Sequence, residues 1–124
     1  MGKILVIDDS AVIRNLLDEL LTDMGWEVVL AEDGSRGIEL ALAEDYAVVF
    51  CDIHLPSRDG CQVYHEVSAV KPDMPFIMTD SLPDQRAEMA QASGADYCLL
   101  KPFTLEQVRE ALRVIKSPAR QDER

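Results

Sequence analysis

The chain has 124 residues, 48% of them apolar, and carries 12 Lys and Arg against 23 Asp and Glu for a net charge of −11. That length and apolar content fit one domain with an ordinary core, and the negative charge opposes the counterion release that drives nucleic-acid binding, so direct DNA or RNA contact is not expected. The apolar runs fall far short of the roughly 20 residues of a membrane helix, and the N-terminus has no signal-peptide core, so no membrane association and a cytoplasmic location are expected.

Residues 3–7, Lys-Ile-Leu-Val-Ile, read as an apolar strand that ends at Asp8-Asp9. In the helix that follows, Ile13, Leu16, Leu17, Leu20, Leu21 and Met24 recur at three and four, with Arg14, Asp18 and Asp23 opposite and Gly25 as the stop. Residues 27–31 form a less apolar second strand suited to a sheet edge. A second helix starts after Asp33-Gly34 and uses Ile38, Leu40, Ala41 and Leu42. The third strand, 47–51, ends at Asp52, and a third helix after Asp59-Gly60 uses Val63, Tyr64 and Val67. A fourth strand, 76–79, ends at Thr79. The helix expected over 84–93 offers mainly Ala87, Met89, Ala90 and Ala92, and so little burial marks an element that moves. The fifth strand, 97–100, leads into Lys101-Pro102. Thr104 to Gln107 has capping-box spacing and opens a last helix with Leu105, Val108, Ala111, Leu112 and Ile115 on one side, stopped by Pro118. Residues 117–124 are polar and are expected to be a tail or the start of a linker.

Five strand-like runs alternating with helices make an α/β domain. Strands one, three and four are continuously apolar, as strands of a parallel sheet covered on both faces should be. The cysteines, Cys51, Cys61 and Cys98, form no C-x-x-C pair; Cys51 and Cys98 lie in apolar strands, where a thiol packs as a small hydrophobe.

Strand ends in a parallel sheet share one edge, where ligands bind, so Asp8, Asp9, Asp52, Thr79 and Lys101 should meet there. Two charges about 4 Å apart repel by roughly 4 kcal/mol at an effective dielectric near 20, which a Mg²⁺ (or Mn²⁺) ion would offset. Asp9 and Asp52 are the expected direct ligands, with Asp8 acting through water; the structural alternative is that Asp8 or Asp9 caps the first helix. Asp52 ends an apolar strand where nothing structural requires a carboxylate, and it can attack a phosphoryl group. Lys101, between an apolar strand and a proline, should pair with a carboxylate or phosphate and stabilise the transferred oxygens, the bland alternative being a surface lysine. The Thr79 hydroxyl can donate to a phosphoryl oxygen, although threonine is also simply a good strand residue.

Ile7-Asp8-Asp9-Ser10, Asp52-Ile-His-Leu-Pro56, Asp59-Gly60, Thr79, Gly94-Ala95 and Lys101-Pro102-Phe103 stand in the order and spacing of a known pattern. Over residues 1–116 the chain resembles the receiver domain of two-component response regulators, CheY-like proteins. The resemblance implies a flavodoxin-like (βα)5 three-layer sandwich with a parallel sheet of order 2-1-3-4-5. It implies Asp52 as phosphoacceptor, Asp8 and Asp9 as the acidic metal site, the backbone carbonyl of His54 in the metal shell, Thr79 as the switch hydroxyl and Lys101 as the phosphoryl contact. It also implies a histidine kinase or phosphotransfer protein as donor. Partner binding would then switch through the surface of the 84–93 helix, the fifth strand and the last helix, toward a downstream protein target or an output domain. At most self-directed phosphotransfer and dephosphorylation are expected, rather than enzymatic turnover.

Three positions depart from that pattern. Cys98 stands where the family usually has a switch aromatic, and Tyr97 is one residue off; either the strand contains an adjustment or the aromatic half of the switch is missing, and the second is favoured. Asp80 follows the switch threonine where a small residue is usual, and would repel a phosphoryl group unless it points to solvent. His54, two residues past Asp52, either shields the acyl phosphate or assists water. Asp96 is the acidic residue the family places after Gly-Ala, but Tyr97 takes the next acidic position of the DNA-binding subclass that dimerises through its last two helices, which disfavours that dimer. Arg109 and Arg113 with Glu106 and Glu110 read as a solvated face. Two other functions compete: an interaction module or phosphate sink with little or no switching, and a small metal-dependent phosphatase. The phosphatase would want a second acid where His54 stands.

Overall fold

The computed structural model describes residues 2–80 and 96–115. The expected helix over 84–93, the Gly94-Ala95 pair, Pro118 and the polar tail lie outside the described residues. The strands are β1 (Lys3–Ile7), β2 (Glu27–Ala31), β3 (Val48–Asp52), β4 (Phe76–Asp80) and β5 (Tyr97–Leu100). They form one parallel sheet of order β2-β1-β3-β4-β5. The helices α1 (Ala11–Asp23), α2 (Gly34–Ala43), α3 (Gly60–Val70) and the C-terminal helix (Leu105–Ile115) cover its faces.

The sheet divides the core in two because successive side chains of a strand point to opposite faces. Ile4, Val6, Val48, Phe50 and Ile77 pack with Leu17 and Leu21 of α1 and with Val108, Ala111 and Leu112 of the C-terminal helix. Leu5, Ile7, Val49, Cys51, Phe76 and Met78 face α2 and α3, meeting Ala41, Val63 and Val67. This is the flavodoxin-like three-layer sandwich expected from the sequence, with β2 at an edge.

The helix starts, and the end of α1, have readable local causes. Ser10 caps α1, its hydroxyl accepting from Ile13 N–H at 3.4 Å. At the other end Gly25 adopts φ 99°, while Trp26 N–H reaches Leu21 O and Gly25 N–H reaches Thr22 O, a Schellman closure in which glycine avoids the left-handed penalty. Asp33 caps α2, and Asp59 with Gln62 forms a reciprocal capping box on α3. The Thr104–Gln107 box is present as expected, at 3.2 and 2.8 Å.

Some sequence expectations shift. The third strand begins one residue later, at Val48, and includes Asp52; the fourth continues to Asp80, because Asp80 pairs with Leu100 and its carbonyl accepts from Lys101 N–H at 2.8 Å. In α2, Leu42 is 38% exposed, because the small residues Gly37 and Ala41 fill the face against the sheet. Arg14, assigned to the outer face of α1, is half-buried, and its guanidinium donates to the Asp8 carbonyl at 2.9 Å.

Candidate functional site

Strand order reverses between β1 and β3: from β1 the chain winds outward to β2, then crosses to β3 on the other side. The crevice outside the C-terminal strand ends at such a reversal is the usual ligand site of an open parallel sheet. Asp8 and Asp9 follow β1, Asp52 ends β3, and Lys101 follows β5. One potential ligand oxygen from each of Asp8, Asp9 and Asp52 lies within 4.8 Å of the others.

Asp8 and Asp52 are buried, at 2% and 5% exposure, whereas Asp9 is exposed. Asp8 Oδ1 accepts from Ser10 N–H at 2.9 Å, and its Oδ2 lies 2.8 Å from Lys101 Nζ. The same ammonium is 3.4 Å from Asp52 Oδ2, while Asp52 Oδ1 accepts from His54 N–H at 3.3 Å. Ser10 provides the side-chain cap of α1, so neither Asp8 nor Asp9 is needed there as the N-cap residue. Lys101 is likewise no surface lysine: its side chain is 14% exposed and bridges two buried carboxylates.

Burial pushes the Asp52 carboxyl above its ordinary range and Asp8 repels its charge further, against partial compensation from Lys101 and His54 N–H. Burial would lower the Lys101 ammonium, but its hydrogen bond to Asp8 and attraction to Asp52 outweigh that and raise it. Lys101 bridges two of the three clustered carboxylates, and at 4.8 Å each carboxylate pair still repels by about 3 kcal/mol at an effective dielectric near 20. An all-oxygen donor set with excess negative charge fits a hard dication such as Mg²⁺ or Mn²⁺.

Local packing holds Asp52 in place. Gly60, first residue of α3, donates to Ile53 O at 2.8 Å, and a Cβ there would stand 2.4 Å from the Asp52 carbonyl oxygen. Glycine lets the helix start against the strand end. The loop between β3 and α3 is also tied to α2, since the Ser57 hydroxyl accepts from Ser35 N–H at 3.3 Å, with Ser57 at φ 66°.

Thr79 pairs in register with Asp52 and is buried, and its carbonyl accepts from Ile53 N–H at 3.0 Å. The β4–β5 register runs without interruption, Ile77 to Tyr97 and Met78 to Cys98. Tyr97 therefore packs toward α1 and the C-terminal helix, and Cys98 toward α2 and α3, with no adjustment that would swap them. Asp80 does not take the solvent-facing alternative: it is fully buried, 3.2 Å from His54 Nε2. Sequence reasoning also missed the work of Asp96, whose Oδ2 accepts from Phe76 N–H at 3.0 Å and anchors the start of β4. Its acidic position before the fifth strand was the available signal.

Comparison with known proteins agrees with this geometry. Residues 4–113 match the family model for the response regulator receiver domain. The probable transcriptional regulatory protein TcrX of Mycobacterium tuberculosis is 33% identical over 115 residues, covering 90% of this chain and 48% of that protein. Response regulator MprA of Mycobacterium sp. (strain KMS) is 31% identical over 124 residues, covering 98% of this chain and 53% of MprA. The chain thus spans about half the length of the curated relatives it matches. Among solved structures, response regulator TrrA of Thermotoga maritima in complex with Mg²⁺-BeF superposes with a TM-score of 0.85 at 30% identity, covering 93% of this chain and 99% of TrrA. Vibrio cholerae chemotaxis protein CheY4 gives 0.84 at 28%, covering 93% and 98%. With the sheet order, the strand-end acids and the family match over residues 4–113 in agreement, this chain belongs to the response regulator receiver domain family.

Proposed function

We propose that Asp52 accepts a phosphoryl group from the phosphohistidine of a histidine kinase or phosphotransfer protein, and that the domain thereby switches its affinity for a partner. The observation that carries this reading is the Lys101 ammonium set between the buried carboxylates of Asp8 and Asp52 at the strand-order reversal. An Asp52 oxygen attacks phosphorus, the P–O bond forms, the P–N bond breaks, and the electron pair returns to the donor imidazole. Lys101 then holds a phosphoryl oxygen and the Thr79 hydroxyl donates to another. Asp8, Asp9, Asp52 and the His54 carbonyl would hold Mg²⁺ (or Mn²⁺), which when bound neutralises charge on the transferred oxygens. Hydrolysis of the acyl phosphate is self-directed and resets the domain.

The partner surface is that of β5 and the C-terminal helix, the 84–93 helix expected to complete it lying outside the described residues; its occupant is a downstream protein or an output domain, acting in the cytoplasm. Among the described residues no helix is long and apolar enough to cross a membrane. A charge-assisted hydrogen bond contributes about 1.5–3 kcal/mol, whereas moving an equilibrium from 1:99 to 99:1 takes about 5.5 kcal/mol. Thr79 alone cannot complete the shift, so the isolated domain should convert only in part and a partner should complete it. A second reading, a phosphate sink with weak relay, draws on Tyr97 and Cys98 occupying opposite faces.

The test is labelling from a phosphodonor with Mg²⁺, in wild type and Asp52→Asn, followed by ¹H-¹⁵N spectra with beryllofluoride. Labelling that survives Asp52→Asn refutes the phosphoacceptor assignment. Partial shifts spreading into β5 and the C-terminal helix support the switch, a fully converted spectrum without partner contradicts the incomplete shift, and changes confined to the acidic site favour the sink.

A further inference from the structure

Asp80, which breaks the family pattern, and His54, twenty-six positions apart in sequence, meet in the fold. Asp80, the last residue of β4, is 0% exposed, and its Oδ1 lies 3.2 Å from Nε2 of His54, whose side chain is 43% exposed. A carboxylate this deeply buried is costly unless a donor compensates it, and an imidazole N–H is such a donor. The backbone of the same histidine meets the acidic site, its N–H reaching Asp52 Oδ1 at 3.3 Å. His54 is thus held at two points, through its backbone by the β3 end and through its ring by the β4 end. At the other end of this loop, Ser57 sits at φ 66°, a conformation non-glycine residues seldom adopt without support.

We infer that Asp80 is a positioning residue for the metal site: by fixing the His54 ring it fixes the adjoining backbone between β3 and α3, and so keeps that segment in its cation-binding conformation. The inference rests on the metal-site reading above. Asp80 touches no ligand itself and acts through His54. Partners of this kind, one step removed from a cation, typically change metal affinity about 10- to 100-fold when removed. The link also joins the β4 end, which carries Thr79, to the loop that borders Asp52, so the two sides of the pocket should move together rather than separately.

The experiment is Mg²⁺ titration of the unphosphorylated domain, read from the amide shifts of Asp52 and His54, in wild type, Asp80→Ala, Asp80→Asn, His54→Ala and the double variant Asp80→Ala with His54→Ala. Loss of a nearby negative charge would also weaken Mg²⁺, so the variants separate the two causes. Positioning predicts binding about tenfold weaker in Asp80→Ala, recovery in Asp80→Asn, which keeps an acceptor oxygen, and no further loss when Asp80→Ala is added to His54→Ala. Equal loss in the Asn and Ala variants, or effects that multiply in the double variant, would overturn the inference in favour of simple charge. Long-range ¹H-¹⁵N spectra of the wild-type imidazole give a readout that needs no variant to fold: a proton on Nε2 is required, and its absence also overturns the inference. Failure of wild type to bind Mg²⁺ would instead refute the metal-site reading.

Discussion

Replacing Lys101 with methionine keeps an unbranched stem of similar length and removes the charge that joins Asp8 to Asp52. The ammonium lies 2.8 Å from Asp8 and 3.4 Å from Asp52, gross attractions of about 6 and 5 kcal/mol at an effective dielectric near 20. Desolvation offsets much of this, and breaking a buried pair from one side typically costs about 3–5 kcal/mol. With 14% of the Lys101 side chain still exposed, the lower end applies, about 3 kcal/mol in the absence of metal. Saturating Mg²⁺ at a hundredfold excess over Kd stabilises a binding-competent fold by about 2.7 kcal/mol. It should stabilise the variant by more than the wild type, because Lys101 no longer competes for the same carboxylates. Urea denaturation at pH 7 in EDTA and in Mg²⁺ checks this: a loss of about 3 kcal/mol in EDTA should shrink with Mg²⁺, by about 1.4 kcal/mol for each tenfold by which the variant binds the ion more tightly. A loss below about 1 kcal/mol in EDTA, or one of equal size in both buffers, would refute the charge-compensation argument. The folded-state ammonium is raised above its ordinary range, so its contribution is fully present at neutral pH and is lost only as pH rises through that higher value.

Asp52→Asn should denature at higher urea than wild type at pH 7 without metal. Burial raises the folded-state carboxyl, so the ionised form destabilises the native protein above that value; the penalty fades as pH falls through it, and the gap between the curves should close below pH about 4. A gap independent of pH would contradict this. Gly60→Ala places a methyl 2.4 Å from the Asp52 carbonyl oxygen and 2.7 Å from Ile53 Cα, both backbone atoms that cannot swing aside. It should cost about 1–3 kcal/mol and slow phosphodonor labelling of Asp52, whereas unchanged stability would show that α3 can back away from the strand.

The amino-acid order alone determined the alternation of strands and helices, because apolar runs and three-and-four stripes are local signals, and it placed Asp8, Asp9, Asp52 and Lys101 at strand ends. It also carried the Thr104–Gln107 box, since a cap involves residues only three apart. The sequence could state the one-residue offset of Tyr97 and Cys98, but only an unbroken β4–β5 register turned that offset into opposite faces. Tertiary structure alone decided that Lys101 bridges Asp8 to Asp52, that Arg14 turns inward to the Asp8 carbonyl, and that Asp80 is buried against His54 rather than solvated. Those pairs join segments whose separation is set by crossover paths and sheet twist, and local propensity does not encode a distance between strands that the chain brings together only after folding.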